Sequence, residues 1–77
     1  MDINKFIEKF AEQFDDINAT SLTSSTKFRD LDDWSSIIAL SIIAMVDEEY
    51  NVTLKGDDIR KSNTIEDIYN IVVSRIN

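Results

Sequence analysis

The sequence has no cysteine, no histidine and no proline, and it has a single glycine, Gly56. Without cysteine, no disulfide can stabilise the fold and no thiolate can bind a metal or attack a substrate. Without histidine, the usual general base and the commonest neutral metal ligand are also missing. We therefore expect neither a catalytic triad nor a metal site, and the composition favours helices over tight β-hairpin turns.

Long hydrophobic runs are also missing. The longest nearly apolar stretch, residues 37–46, is interrupted by Ser41 and is too short to cross a bilayer. The first residues lack the basic region and apolar run of a signal peptide. We expect one domain spanning residues 1–77, a free-standing protein rather than an excised domain, and a cytoplasmic monomer without membrane insertion.

The charge is acidic and unevenly distributed. The net charge of −7 disfavours binding to nucleic acid or to anionic membranes. Residues 30–58 contain eight acids and one base, Lys55, whereas the rest of the chain has seven of each. Charge runs of this kind usually only solvate a helix surface. Their position around the serines described below favours a docking face for basic partners.

Apolar residues recur at helical spacing in three stretches, which predicts helices at about residues 2–16, 35–50 and 64–76. A short helical turn is expected at residues 57–61. The predicted fold is therefore all-α, a small four-helix bundle of three longer helices and one short helix, with a long connection between helices 1 and 2.

Local signals mark the helix starts and the path of the long connection. Asp2 is the expected N-cap of the first helix, and Thr64 with Asp67 predicts a capping box at the last. Residues 17–34 are rich in Asn, Ser and Thr, and a short helical turn is expected near residues 26–31. Apolar residues are spaced along this connection to hold it against the core. They are Leu22, Phe28, Leu31 and Trp34.

The polar connection meets the apolar second helix at residues 32–39, DDWSSIIA, where Ser35 and Ser36 are adjacent. A hydroxyl at a helix N-terminus is well placed to carry an anion, because free N–H groups point at it and the helix dipole favours negative charge. We interpret one of them, Ser36, as the carrier of a phosphate-linked prosthetic group. The alternative is that one or both serines only cap the helix.

The stretch from about residue 28 to residue 76 resembles the acyl carrier proteins and related thiolation domains. Ser36 and Ile37 stand at the Ser-Leu of the family's Asp-Ser-Leu motif, and residues 47–50 stand at its acidic run and aromatic residue. Two departures are that Ser35 replaces the usual Asp and Ser41 replaces a commonly acidic residue. Other matching positions are Leu40, Ile42, Leu54, Asp57, Asp58, Thr64 and Ile65.

The resemblance implies a 4′-phosphopantetheine arm, which a phosphopantetheinyl transferase adds from coenzyme A and which carries acyl groups as thioesters. The family register, aligned on Tyr50, gives Ser36 as the modified residue and leaves Ser35, with Asp33, to serve the helix start. The arm would supply the thiol that this chain lacks. The expected function is that of a carrier and not of an enzyme, in fatty acid or related polyketide or specialised lipid biosynthesis.

The resemblance also implies a docking face and an acyl pocket. Basic-surfaced acyltransferase, synthase or synthetase enzymes are expected to dock on the second helix and its surroundings. The expected docking residues are Asp33, Ile37, Leu40, Asp47, Glu48 and Asp57. The expected acyl pocket consists of Ile43, Val46, Leu54, Ile59, Ile68 and Val72, for which ordinary core packing is the alternative or an additional role.

Three other functions remain open at this point. The chain fits an aminoacyl or peptidyl carrier of a non-ribosomal-type pathway, since these share the architecture. It also fits an unmodified helical interaction module, in which both serines are only caps. An enzyme has little support, because no pair of carboxylates is set in surroundings that would separate their pKa values.

Overall fold

The computed structural model describes residues 2–76 of the chain. These residues form four α-helices, α1 (Ile3–Ala11), α2 (Ser36–Tyr50), α3 (Gly56–Lys61) and α4 (Ile65–Arg75). Two 3₁₀ turns, Ala19–Ser21 and Phe28–Asp30, lie in the connection between α1 and α2. The described part of the chain has no β-strand, and the predicted small helical bundle is confirmed.

Helix α1 begins as predicted but ends early. The Asp2 carboxylate accepts a hydrogen bond of 2.8 Å from the backbone N–H of Asn4. After Ala11 the chain tightens into i→i+3 bonding, with the N–H of Phe14 donating to the carbonyl of Ala11 at 3.0 Å. The prediction that the helix continues to residue 16 was wrong. The turn already buries Phe14, so that the helix does not need to continue for this purpose. It also keeps Asp15 out of the last turn of a helix, where the helix dipole disfavours acids.

The core is built around a network of aromatic rings. Phe6 is fully buried, and its ring lies 5.9 Å from that of Tyr50 and 5.5 Å from that of Tyr69. These contacts join α1 to α2 and α4. A second branch joins α1 to the long connection, since Phe10 lies 6.2 Å from Phe28. The remaining aromatic residues, Phe14 and Trp34, belong to the same network.

The long connection is ordered against the bundle. The carbonyls of Ser24 and Thr26 accept hydrogen bonds from Glu66 N–H at 3.0 Å and Ile65 N–H at 3.1 Å, which satisfies free donors at the start of α4. The four predicted anchors all pack on or within the core. The segment is therefore a fixed part of the fold rather than a flexible linker.

Helix α4 starts with the predicted capping box. The Thr64 hydroxyl accepts from Asp67 N–H at 3.2 Å, and the Asp67 carboxylate accepts from Thr64 N–H at 3.1 Å. The backbone N–H groups of Asn63 and Thr64 hold the pKa of Asp67 below its usual value.

None of the helices in residues 2–76 combines the length and the hydropathy that a bilayer span requires.

The short helix α3 is held at its start by an ion pair. The Arg75 guanidinium, from α4, donates to both carboxylate oxygens of Asp58, at 2.7 and 2.9 Å. These hydrogen bonds lower the pKa of Asp58 from 3.8 to about 2. Asp58 also accepts the backbone N–H of Lys55 at 2.8 Å, just before the helix.

The end of α3 is held by a second arginine. Arg29, from the long connection, donates to the carbonyl of Ile59 at 3.0 Å, to the carbonyl of Ser62, and to Asn63 Oδ1 at 3.1 Å. Cations near helix C-terminal carbonyls are favourable there. The two arginines together fix α3 opposite α2, which shapes the site described next.

Candidate functional site

The two adjacent serines take different roles at the start of α2. Ser35 is the N-cap, and its hydroxyl accepts a hydrogen bond of 3.2 Å from the backbone N–H of Ile38. Its carbonyl accepts the N–H of Ala39 at 3.0 Å. Asp33 is exposed and, within the described residues, forms no hydrogen bond with the helix start. The capping expected of Ser35 together with Asp33 is therefore provided by the Ser35 side chain alone.

Ser36 is the first residue of α2 and is exposed. Within residues 2–76, its hydroxyl has no hydrogen-bond partner, in contrast to that of Ser35. The first turn of a helix carries partial positive charge from its unpaired N–H groups. A phosphorylated or phosphate-linked oxygen at this position would therefore be favoured electrostatically.

The backbone before these serines is fixed by Trp34. Its ring lies 4.7 Å from that of Phe28 and 6.4 Å from that of Phe14. The backbone N–H of Trp34 donates to the carbonyl of Leu31 at 3.0 Å. Because Trp34 is half-buried and immediately precedes the cap, it sets the position from which Ser36 is presented.

A groove of ≈ 360 Å³ lies beside Ser36, between α2 and α3. The α2 residues in it are spaced i, i+3, i+4 and i+7 from Ser36, which places them on one helix face. Most of the lining surface is apolar, and two arginines also contribute to it. The lining residues are Arg29, Trp34, Ser36, Ala39, Leu40, Ile43, Gly56, Ile59 and Arg60.

Of the six residues predicted for an acyl pocket, Ile43 and Ile59 line this groove. The other four lie in the core, where each is at most 3% exposed. They are Val46, Leu54, Ile68 and Val72. Trp34 and Ala39 were not expected in the groove, although the helical spacing of Ala39 from Ser36 indicates that it shares the same helix face.

All six residues predicted for the docking face are exposed. Ile37 and Leu40 have 72% and 65% of their surface exposed, which is unusual for large apolar side chains. The other four residues of the set are acidic, and they are Asp33, Asp47, Glu48 and Asp57. Asp57 forms an ion pair with Arg60. The neighbouring Glu49 pairs with Lys9 of α1 at 3.6 Å, so it is partly neutralised.

A family model described as the phosphopantetheine attachment site matches residues 4–72, which is most of the chain. The chain belongs to this family. Its members hold 4′-phosphopantetheine covalently on a serine, and they are carrier domains that are not themselves catalytic. Carrier domains act with phosphopantetheinyl transferases and with partner enzymes. No curated protein and no solved structure gives a significant match.

The start of α2 in this carrier domain fits such a prosthetic group. Attachment needs an accessible hydroxyl with room beside it, and Ser36 offers an exposed hydroxyl at the edge of the groove. Ser35 offers less, because its hydroxyl is occupied by the helix cap.

The residues described contain no group of three or more acidic side chains placed to hold a metal ion.

Proposed function

We propose that this carrier domain holds the 4′-phosphopantetheine arm on Ser36 and delivers acyl thioesters to enzymes of fatty acid or related polyketide or specialised lipid biosynthesis. The observation that carries the proposal is the division of roles between the serines. Ser35 Oγ accepts the Ile38 N–H, whereas Ser36 is exposed, lines a groove, and has a hydroxyl without a hydrogen-bond partner in residues 2–76.

Attachment uses the Ser36 hydroxyl as the nucleophile. Its Oγ would form a bond to the pantetheine-side phosphorus of coenzyme A as the pyrophosphate bond breaks, 3′,5′-adenosine bisphosphate would leave, and the hydroxyl proton would pass to a base. The chain has no histidine or cysteine, so the transferase is the expected source of that base. When bound, the group supplies the thiol on which an acyl thioester is carried.

The groove favours an apolar cargo. Its α2 wall consists of Ala39, Leu40 and Ile43, and Ile59 faces them from α3. A second groove of ≈ 320 Å³ shares Leu40 and Ile43 and extends along α2 toward Thr53. Apolar surface of this kind shelters a hydrocarbon chain by removing it from water. We propose that the buried residues Val46, Leu54, Ile68 and Val72 form the core behind this wall.

The exposed face of α2 is the proposed docking surface. Ile37 and Leu40 give it an apolar centre, and Asp33, Asp47 and Glu48 surround that centre with negative charge. A basic enzyme surface would be attracted by these acids and would bury the two apolar side chains on contact. Asp57, on α3, is the proposed edge of the same surface.

Intact-protein mass spectrometry tests the attachment site. The purified chain is incubated with coenzyme A and a promiscuous phosphopantetheinyl transferase, and we expect it to gain the mass of one phosphopantetheine. Ser36→Ala should abolish the gain while its circular dichroism spectrum stays that of the native protein. Ser35→Ala is the matched control and should still be modified. A gain that is lost in Ser35→Ala and kept in Ser36→Ala would overturn the assignment.

The mass of the released cargo distinguishes an acyl carrier of lipid pathways from an aminoacyl or peptidyl carrier. Protein isolated from its native cells should release its cargo as a hydroxamic acid when the thioester is cleaved with hydroxylamine. An apolar acyl hydroxamate supports the lipid pathways, whereas an aminoacyl or peptidyl product supports the non-ribosomal type. A chain that stays unmodified with every transferase tried would favour the helical interaction module instead.

A further inference from the structure

The groove beside Ser36 brings two cations together in an acidic region. Residues 30–58 contain eight acids and one base, yet Arg29 and Arg60, which lie just outside that segment, both line the groove. Two guanidinium groups that line an apolar groove give it local positive charge, which favours an anion there.

Arg29 is already committed to the fold. Its guanidinium lies 5.0 Å from the ring centroid of Phe28, and it donates to the carbonyl of Ile59 and to Asn63 Oδ1. These contacts hold its charge in a fixed place at the groove. Arg29 therefore contributes positive potential to the groove but is not free to move toward a new partner.

Arg60 is held only weakly. Its side chain is 74% exposed, and its one partner among the described residues is Asp57, on the same helix and 69% exposed. Exposed pairs of this kind contribute little to stability, so Arg60 can exchange Asp57 for another partner. A Cβ built on Gly56 would lie 3.4 Å from Arg60 Nη1, which places the guanidinium against the start of α3.

We propose that Arg60 binds the phosphodiester of the arm on Ser36, giving up Asp57 for it, and so directs the arm into the groove. The proposal rests on the proposed function, since it requires the arm on Ser36. A guanidinium donates two parallel hydrogen bonds to phosphate oxygens. Arg29, held at the end of α3, adds positive potential to the same groove. Arg60 is thus a positioning residue for the arm.

The test compares the spectra of fully modified proteins. Wild type, Arg60→Gln and Lys61→Gln are loaded from coenzyme A, and intact mass verifies the loading. Lys61 is the matched control, because it is the next residue on the same helix, is exposed and does not line the groove. The readouts are the ³¹P chemical shift of the phosphodiester and the nuclear Overhauser effects between the arm's methyl protons and the ring of Trp34.

In wild type and Lys61→Gln we expect the Trp34 contacts to be present and the ³¹P shift to move when salt is raised, because salt screens the ion pair. Arg60→Gln should lose the contacts and the salt response, and Arg60→Lys should restore part of both. Spectra of Arg60→Gln that match those of Lys61→Gln would overturn this inference alone. A failure of all four proteins to gain mass would overturn the proposed function, and this inference with it.

Discussion

The ion pair between Asp58 and Arg75 gives the most quantitative prediction, which concerns the stability of the wall formed by α3. Asp58→Asn keeps the shape of the side chain and an acceptor for the Lys55 N–H but removes the charge. The hydrogen bonds from Arg75 lower the pKa of Asp58 from 3.8 to about 2. One pKa unit corresponds to about 1.4 kcal/mol, which gives an upper limit of about 2 kcal/mol.

The expected loss of stability is smaller than this limit, because water screens the exposed part of the ion pair. The Arg75 side chain is 42% exposed, although that of Asp58 is only 13% exposed. Exposed ion pairs contribute about 0–1 kcal/mol, so we expect Asp58→Asn to lower the free energy of unfolding by about 1 kcal/mol at neutral pH. For a domain of this size, that loss lowers Tm by about 4–8 °C.

The pH dependence has a defined sign. Because the pKa of Asp58 is lower in the folded protein, the carboxylate stabilises the fold fully above its unfolded value of 3.8, and this contribution is lost as the pH falls toward 2. The difference between wild type and Asp58→Asn should therefore be constant near neutral pH and shrink between about pH 4 and 2.

Urea denaturation at several pH values measures this difference, with Asp57→Asn as the matched control. Asp57 precedes Asp58 on α3, but its pair with Arg60 is exposed on both sides. We expect the control to change stability by less than about 0.5 kcal/mol. Equal losses in the two variants, or a difference that persists unchanged at pH 2, would refute the reasoning.

Three further predictions concern the core, a helix end and the docking face. Phe6→Ala should lower the free energy of unfolding by about 3–5 kcal/mol. A denaturation midpoint equal to that of the wild type would show that the network of aromatic rings does not hold the core together. Asn51 ends α2 with φ 55°, so Asn51→Ala should cost about 1 kcal/mol while Asn51→Gly costs less, and the reverse order in thermal melts would contradict this. Glu48→Lys should weaken binding to a basic partner enzyme in calorimetry while leaving the melting temperature nearly unchanged; unchanged binding would remove Glu48 from the docking face.

The helix starts were predictable because their signals are local. Asp2, Ser35 and Thr64 each accept a backbone N–H two or three residues ahead, which a reader of the sequence can anticipate. The end of α1 was not predictable in this way. The spacing that buries Phe14 is satisfied equally by a helix and by the tight turn that the chain adopts.

The groove was only half predictable. Ile43 and Ile59 were expected near a cargo, because the resemblance to carrier proteins implies a shelter between helices. The contribution of Arg29 was missed, since its partner Asn63 lies 34 residues away and nothing in either local sequence indicates the contact. The pairing of Arg75 with Asp58 was missed for the same reason, although both pairs determine where α3 lies.

The position of the arm tests the account most directly. Protein isolated from its native cells is digested, and tandem mass spectrometry locates the phosphopantetheine within the peptide that contains Ser35 and Ser36. We expect fragment ions that place the whole added mass on residue 36 and leave residue 35 unmodified. Modification of residue 35, or native protein that carries no arm at all, would contradict it.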